Sequence, residues 1–510
     1  MSIFHSTVTR RDFMKGLGLT GATLGTAGMV SPVFHDLDEV LSSPTAGWKR
    51  PWYVKEREHD DPTVEVDWSQ LKRLDHKATR RNGEQYNPAE QKAKAAAEGA
   101  AAKEAIGWNN GTIPGQQMRD YALNEASGFR WHRAKQWPAT VAFKGQFNGS
   151  SPLFAGPKLT KTPEERGVPK WTGSPEEATH MLRAAMRFFG ASAVYPGELN
   201  GTHRNLINAT DRNKPIVFED VEDGYETNEK FVLPANKELF EIGYSIAENR
   251  EAHRSGPTYL RGAANGARYR MNTLTMALTS EFLRALGYIC DAQTVYPITS
   301  GNGAACLHGG AEQARTSWFS IDPERDTITG RYELITDMHL APTPPVDAGI
   351  FRFCHDCGHC ADVCPSQSVS HEKEPSWETP LSPYTNNPNP GHRWKKIFWN
   401  NYATCNNWIT ASGTGCYICR ASCVFMSSQA AMVHNLTRAT LSTTPILNGF
   451  FASMFNVFDY GQKNEKGEMV GLTWENYARK AERGESWWDM SLPTFGTDST
   501  LGTRDHGYNK

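Results

Sequence analysis

The sequence predicts an α+β fold: a domain mixing helices with a modest sheet over residues 171–345, followed by a ferredoxin-like module over 346–430. Three observations lead there. Helical and strand signals alternate from Ser174 to Ile335, punctuated by capping residues, glycines and prolines. Cysteines at 354, 357, 360 and 364, closed by Pro365, have the spacing of a bacterial ferredoxin run, and a second set follows at 405, 416, 419 and 423. Finally, 39% hydrophobic and 22% charged residues in a chain of 510 are ordinary globular proportions, sufficient for two or three domains and a large core.

The formal charge of −2 gives no electrostatic ground for binding nucleic acid or an acidic membrane surface. Fifteen tryptophans are many for this length. An indole-lined pocket and a heavy core explain them equally well, and for any single one the core reading comes first.

Residues 1–31 are expected to lie outside the fold. Thr9-Arg10-Arg11-Asp12-Phe13-Met14-Lys15 reads as a twin-arginine export signal, followed by a weakly apolar run, Gly16 to Val30, too short and glycine-rich to span a bilayer. Cleavage is expected between Ala27 and Ser31. This route moves proteins already folded around a cofactor, which agrees with the cysteine sets; a chance Arg-Arg pair is the alternative. No other apolar run is long enough to cross a membrane, so the mature chain is expected to be soluble or peripheral.

Residues 32–170 read as an N-terminal arm and an insertion. Arg50-Pro51-Trp52-Tyr53-Val54 has the character of an extended arm packed across another domain. Asn87 as N-cap with Pro88 at the first helical position opens a solvent-facing helix, Gln91 to Ile106, rich in alanine and lysine. From Gly107 to Lys170 frequent Gly and Pro predict loops.

In the α/β region, Ser174-Pro175-Glu176-Glu177 caps a helix to about Gly190, with Met181, Leu182, Ala185, Met186 and Phe189 at helical spacing. Strands are expected at Ala193–Tyr195 and Pro215–Phe218, with an alternating stretch from Phe231 to Ile246. A long helix spans Tyr259 to Leu286, stopped by Gly287. Then come a strand through Ile289 to Tyr296, a glycine-rich turn at Ser300–Gly303, a helix through Ala314 and a strand from Tyr332 to Ile335.

In the cysteine module, three thiolates of a ferredoxin run hold one four-iron four-sulfur cluster and the fourth reaches to a second. If ligation crosses in that way, Cys354, Cys357, Cys360 and Cys423 hold the first cluster, and Cys364, Cys405, Cys416 and Cys419 the second. Disulfides and structural zinc are the competing readings for an exported chain with an even cysteine count. The short regular spacings suit a metal cube better. Cys290 and Cys306 read as buried thiols. Residues 431–510 carry many aromatics and no recognisable chemistry, and are expected to cover the core.

With these residues in place, the chain resembles the corrinoid-dependent reductive dehalogenases of organohalide-respiring bacteria, nearest to the group acting on chlorinated ethenes. The likeness runs nearly end to end. It is carried by the twin-arginine start, Arg50-Pro51-Trp52, Pro169-Lys170-Trp171-Thr172-Gly173, Arg187-Phe188-Phe189-Gly190-Ala191, Leu286-Gly287-Tyr288, Asp337 through Pro342 ahead of Asp347-Ala348-Gly349, both cysteine sets, and Val433-His434-Asn435-Leu436.

The resemblance implies a nitroreductase-like domain holding a base-off corrinoid of the cobalamin type beside two [4Fe-4S] clusters. The Asp-x-His-x-x-Gly signature of many corrinoid proteins is missing, since proline stands where Asp337-Met338-His339-Leu340-Ala341-Pro342 would need glycine, and His339 reads as incidental. The implied reaction replaces a carbon–halogen bond with carbon–hydrogen using two electrons and a proton. Tyr269 matches the proton-donating tyrosine, on the long helix 19 residues before Tyr288. A phenol with a pKa near 10 needs a cationic neighbour, for which Arg331 is the candidate, with Glu333 on the same strand face competing for the place. Plain structural roles, a core tyrosine and a surface ion pair, are the alternatives for Tyr269 and Arg331. Tyr296 and Trp408 are candidates for the cofactor pocket.

The implied partners are a small organohalide, a small hydrophobic membrane-anchor protein and a membrane electron-donor chain, at the outer face of the cytoplasmic membrane. Nucleic acid is not among them. Two rivals share some of these features. An epoxyqueuosine-reductase-like corrinoid enzyme would act on tRNA in the cytoplasm, against the export signal and the lack of a basic patch. A ferredoxin-type electron-transfer subunit would need no catalytic domain before its clusters.

Overall fold

The computed structural model describes residues 50–457 apart from 76–82, 109, 128–146, 149–150, 153, 155, 157, 212–213, 293–297, 325–328, 390–393, 414 and 427–431, together with Trp487 and Trp488. The export signal expected over residues 1–31 lies outside the described residues, and so does Tyr296.

A four-stranded antiparallel sheet forms the centre. Its strands are β1 (Ala193–Glu198), β2 (Phe240–Ala247), β3 (Asp291–Ala292) and β4 (Thr329–Thr336), in the spatial order β3-β4-β2-β1. All eight residues of β2 are buried, so both faces of the sheet are covered. Val194, Tyr244 and Tyr332 lie in register on one face. They pack with Leu182 and Met186 of helix α3 (Pro175–Phe188) and with Met271, Met276 and Leu283 of the long helix α5 (Tyr259–Leu286). The opposite face carries Ala193, Tyr195, Ser245, Arg331 and Glu333, and meets the short helix α6 (Gly301–Leu307). A Cβ on Gly243 would stand 2.4 Å from the Tyr195 ring, so only glycine lets that tyrosine lie flat across β2.

Local signals fixed most helix ends. Ser174 and Glu177 form the reciprocal capping box of α3, with Pro175 at its first position. Thr258 caps α5, and Gly287, at φ 95°, ends it in the left-handed conformation.

Four expectations are corrected. The stretch from Phe231 to Ile246 divides: Phe231–Pro234 leaves the central sheet and pairs parallel with Lys214–Glu219 in a second sheet, while 240–247 stays central. The helix after Ser300 stops at Leu307, where Gly309 turns the chain (φ 74°), and Glu312–Gln313 instead pairs with Ser320–Ile321. A helix, α2 (Met118–Ser127), lies in the region read as loop, and packs against α5. Asn87 does not cap the alanine-rich helix α1 (Ala89–Ala105). Its side chain is fully buried and donates to Asn407 Oδ1 at 2.6 Å.

That last contact joins α1 to helix α9 (Tyr402–Ser412), so the insertion is a buttress for the cysteine module. The module itself runs through α7 (Ile350–Cys357), α8 (His359–Asp362), α9 and α10 (Ile418–Ala421). Two further segments close over it. Lys55–Glu56 of the arm pairs antiparallel with Val346–Asp347, as an extended arm should. Helices α11 (Met432–Thr443) and α12 (Asn448–Val457) bring Leu441 and Phe451 onto Ile350 and Phe353.

Replacing Gly99 tests the buttress. In a free helix alanine would gain about 1 kcal/mol over glycine. Here the added Cβ would stand 2.6 Å from Ala411 Cβ and 2.9 Å from its Cα, and such overpacking costs about 1–3 kcal/mol. Gly99→Ala is therefore expected to lower the thermal midpoint, and a midpoint that rises would show that α1 and α9 are not in close contact.

Candidate functional site

All ten cysteines are free thiols, which removes the disulfide reading. Cys354 and Cys357 sit on α7. Gly358, at φ 70°, breaks the helix and restarts it as α8, turning Cys360 back toward them. Cys405 lies on α9 and Cys419 on α10, with Cys416 and Cys423 flanking α10. The thiol of Cys360 feels those of Cys354, Cys357, Cys419 and Cys423, whereas Cys416 feels Cys419, Cys405 and Cys364. Cys419 is thus a neighbour of both Cys360 and Cys416. Among the described residues no group of three or more such ligands closes on a single metal-ion position. Cys354, Cys357, Cys360, Cys419 and Cys423 line a pocket with Phe353 and Arg420.

Burial pushes the thiol of Cys354 up to about 11 and that of Cys357 up to about 12, and drives Cys360 and Cys416 well above the ordinary value. Such groups stay neutral unless a bound cationic centre reverses the balance. Two side chains that sequence reasoning missed hold the loops in place. Arg315 donates to the carbonyls of Cys354 (2.9 Å), His355, Ser370 and Glu372. Glu312 accepts from the first amides of α7, Ile350 at 3.3 Å and Phe351 at 3.2 Å, and from Ala348 before it. Neither residue falls in a motif, and their partners lie about 40 or more residues away.

Beside the second set is a buried charge network. Glu248 follows β2. Its carboxylate meets His253 Nδ1 at 2.9 Å, Arg268 Nε at 3.1 Å and Arg420 Nη1 at 3.9 Å. Burial alone would raise its pKa, but His253, Arg268 and Arg420 hold it well below the usual carboxylate range. Burial also lowers His253 to about 4 against the pull of Glu248, so the neutral imidazole donates its Nδ1 proton to the carboxylate. Burial opposes the charge on Arg268, yet Tyr332, Tyr269 and Glu248 outweigh it and the guanidinium stays charged.

Arg268 lies 4.2 Å over the ring of Tyr269 and donates through Nη1 to the hydroxyl of Tyr332. The two phenol rings meet edge to face at 6.4 Å. Burial raises the Tyr332 phenol, in spite of Arg268. On the module side, Arg420, next to Cys419, donates to the carbonyl of Thr329 at the start of β4 (3.0 Å), and Arg261 stacks over Tyr417 at 3.8 Å. Buried His253 Nε2, Thr329 Oγ1 and Ser422 Oγ have no hydrogen-bond partner among the described residues. They are polar atoms that a cofactor between the sheet domain and the cysteine module would satisfy.

The expected site residues fare differently. Tyr269 is in this network, half-buried against the central core. Arg331 is not. Tyr332 faces α5, so its neighbour Arg331 faces the other side of the sheet, where it donates to Ser245 Oγ at 2.6 Å and Ser320 Oγ at 3.1 Å. The cation beside Tyr269 is Arg268, its own neighbour in the chain. Glu333 shares the face of Arg331 and is equally remote from Tyr269; burial, then Glu241, raises its pKa well above the ordinary value. Trp408 packs with Cys416 against Trp108, Val363 and Ile418, a wall of the second cysteine set. His339 is exposed and pairs with Glu238 at 3.2 Å, as an incidental residue would.

Comparison with known proteins places these features in context. The family described as "Reductive dehalogenase subunit" matches residues 49–340. The chain is 32% identical to a chloroethene reductive dehalogenase of Dehalococcoides mccartyi strain VS, over 98% of this chain and 99% of that protein. It is 30% identical to a trichloroethene reductive dehalogenase of Dehalococcoides mccartyi strain 195 over 90% and 95% of the two chains. Among solved structures, a catabolic reductive dehalogenase superposes with a TM-score of 0.54 at 15% identity, over 80% of this chain. A reductive dehalogenase structure bearing on B12-dependent dehalogenation does so with a TM-score of 0.52 at 16% identity. This chain spans about half, 49%, of each of those structures' length, and the likeness is one of mixed α+β fold.

The Glu312 cap makes stability depend on pH. Burial, followed by the charge of Asp347, raises its carboxyl from the ordinary 4.5 to about 7. The folded chain therefore holds a proton that the unfolded chain has lost between those two values. Stability from this group is present below about pH 4.5 and is lost as pH rises through about 7. Glu312→Gln should flatten that part of the profile in denaturant titrations from pH 5 to 8, and a wild-type profile that rises across the window would contradict the assignment.

Proposed function

The chain belongs to the reductive dehalogenase family, and we propose that it is a respiratory enzyme removing chlorine from chlorinated ethenes, with Tyr269 as proton donor. It is an oxidoreductase acting on carbon–halogen bonds. The family implies a corrinoid. The near full-length likeness to two chlorinated-ethene dehalogenases carries the substrate reading.

The overall change takes two electrons and one proton, replaces the carbon–chlorine bond with carbon–hydrogen, and releases chloride. A bound corrinoid would supply redox chemistry for the carbon–halogen bond, and [4Fe-4S] clusters would supply single electrons. We assign Cys354, Cys357, Cys360 and Cys423 to one cluster and Cys364, Cys405, Cys416 and Cys419 to the other, within a ferredoxin-like module after a nitroreductase-like domain. The grouping of the thiols supports this assignment, and Trp408 would form a wall of the second site.

The protein's own share is a proton and an electrostatic environment. Tyr269, half-buried, can reach a bound substrate, whereas Tyr332 is fully buried and its oxygen is taken up by Arg268. As Tyr269 gives up its proton, the guanidinium over its ring stabilises the phenolate, and the same positive charge favours departure of an anion. Arg331 has no part in this step. Its contacts with Ser245 and Ser320 tie β4 to its neighbours.

Export by the twin-arginine route and docking at the outer face of the cytoplasmic membrane, through a small hydrophobic anchor protein joined to a membrane electron-donor chain, complete the reading. No described helix is long and apolar enough to cross a membrane.

Tyr269→Phe should lower turnover of trichloroethene and vinyl chloride by roughly a hundredfold to ten-thousandfold, the usual worth of a positioned acid, with iron and cobalt contents unchanged. Retained turnover removes Tyr269 from the mechanism. Cys360→Ala should lose about half the iron, because only one of the two clusters depends on it; full iron content would refute the grouping.

A further inference from the structure

We propose that Glu248 is a positioning residue: one buried carboxylate holds Arg268 against the two phenols and ties that arginine's side of the site to Arg420, beside Cys419. The inference rests on the reading of Tyr269 as proton donor, but its consequences reach the cluster side independently.

Glu248 is completely buried, at the end of the central strand β2. Unpaired, it would be a costly group in that place. It is retained between an arginine of α5 and an arginine of the cysteine module, at 3.1 Å and 3.9 Å. The groups facing this carboxylate come from every element packed around it. Helix α4 (Arg250–Arg254) presents His253, which is neutral and donates to it. Helix α5 presents Arg261 and Arg268 with Tyr269; β4 presents Tyr332; and the module presents Tyr417 and Arg420. Guanidiniums therefore outnumber the carboxylate they share. The surplus is positive, as required where a phenol must lose a proton and a halide must leave.

Glu248 does two separable things. Its Oε2 forms an ion pair 3.1 Å from Nε of Arg268, whose Nη1 donates to Tyr332 and Nη2 to Asn265 Oδ1 (2.6 Å). A guanidinium hydrogen-bonded through two of its nitrogens and ion-paired on its third side is held against the Tyr269 ring. Its negative charge also sets the local potential for both the phenols and the second cysteine set, since Arg420 lies one residue from Cys419 and contacts the same oxygen. Geometry should govern rate, and charge should govern the acidity of the phenol and the reducibility of the cluster.

The test uses the anaerobically purified holoenzyme. Glu248→Gln keeps the shape and removes the charge. Turnover should fall roughly ten- to a hundredfold with little change in KM, because a neutral amide pairs with Arg268 less firmly than a carboxylate and lets the guanidinium shift from the phenols. The alkaline limb of the pH–rate profile should move to lower pH, because the phenol is now in a more positive field. The midpoint potential of the cluster held by Cys419, followed by EPR-monitored redox titration, should move to more positive values. Glu248→Asp keeps the charge but shortens the reach, so the potential and the alkaline limb should return toward wild type while the rate stays low. Wild-type potential and pH profile in Glu248→Gln would overturn the inference. If that variant does not load iron, Glu248→Asp decides, since full activity there would show that the reach to Arg268 is immaterial. Tyr269→Phe separates the two readings: retained turnover sinks the proton-donor assignment, while the potential shift of Glu248→Gln, which needs no substrate, still stands or falls by itself.

Discussion

Eight thiols enter the interior within one short module, and desolvation opposes the ionised form of those whose shifts are resolved. A thiol buried in this way is no use as a ligand unless its loop is already in position when positive charge arrives. The chain meets that constraint by fixing backbone first. Arg315 spends its donors on carbonyls at Cys354, His355, Ser370 and Glu372, and Glu312 caps α7 from a distance. Ser368 N–H donates to the sulfur of Cys364 at 3.2 Å and holds that sulfur against its own loop. The loops are thus preorganised by partners from outside the cysteine motif.

The same constraint explains why sequence so distant in the chain wraps the module. The cysteine module is small, and a small unit buries a limited fraction of its surface. Here the arm contributes Tyr53 and Val54, the tail contributes Leu441 and Phe451, and the insertion contributes α1. Ser442 hydrogen-bonds the carbonyl of Tyr53, linking tail to arm across the module. Each cover strip has little core of its own. Their function is legible only from what they touch.

Much of this was available from the sequence, for reasons that differ by residue. The ends of α3 and α5 are written locally, in Ser174 with Glu177 and in Thr258 and Gly287, because caps satisfy backbone groups of their own turn. The cysteine sets stand out by their spacing alone, which the proposed ligation would impose. Arg331 shows where such reading stops. Alternation along β4 correctly puts Arg331 and Glu333 on one face, but with both faces of the sheet buried the pattern holds no clue as to which one looks toward α5. Asn87 and Pro88 satisfy the rule for a helix start, yet tertiary contact with Asn407 claims the side chain. Glu248 and Arg420 are beyond reach of any local rule, being 172 positions apart.

The presence of two phenols beside Arg268 has a physical rationale. A single buried tyrosine under an arginine would leave part of the planar guanidinium fork idle, and an idle buried donor is expensive. Tyr332 takes Nη1 and Asn265 takes Nη2, so both arms of the fork have a hydrogen-bond partner before any substrate binds, while the Glu248 carboxylate stands 3.1 Å from Nε as an ion pair. What remains open is the face of the cation, and Tyr269 lies against it. A face contact is electrostatic and non-directional compared with a hydrogen bond. It offers its positive charge to the ring of Tyr269 when that ring becomes an anion. On the proposed reading Tyr332 is the phenol that holds the arginine and Tyr269 the phenol that the arginine serves, a division that follows from which part of the guanidinium each one meets.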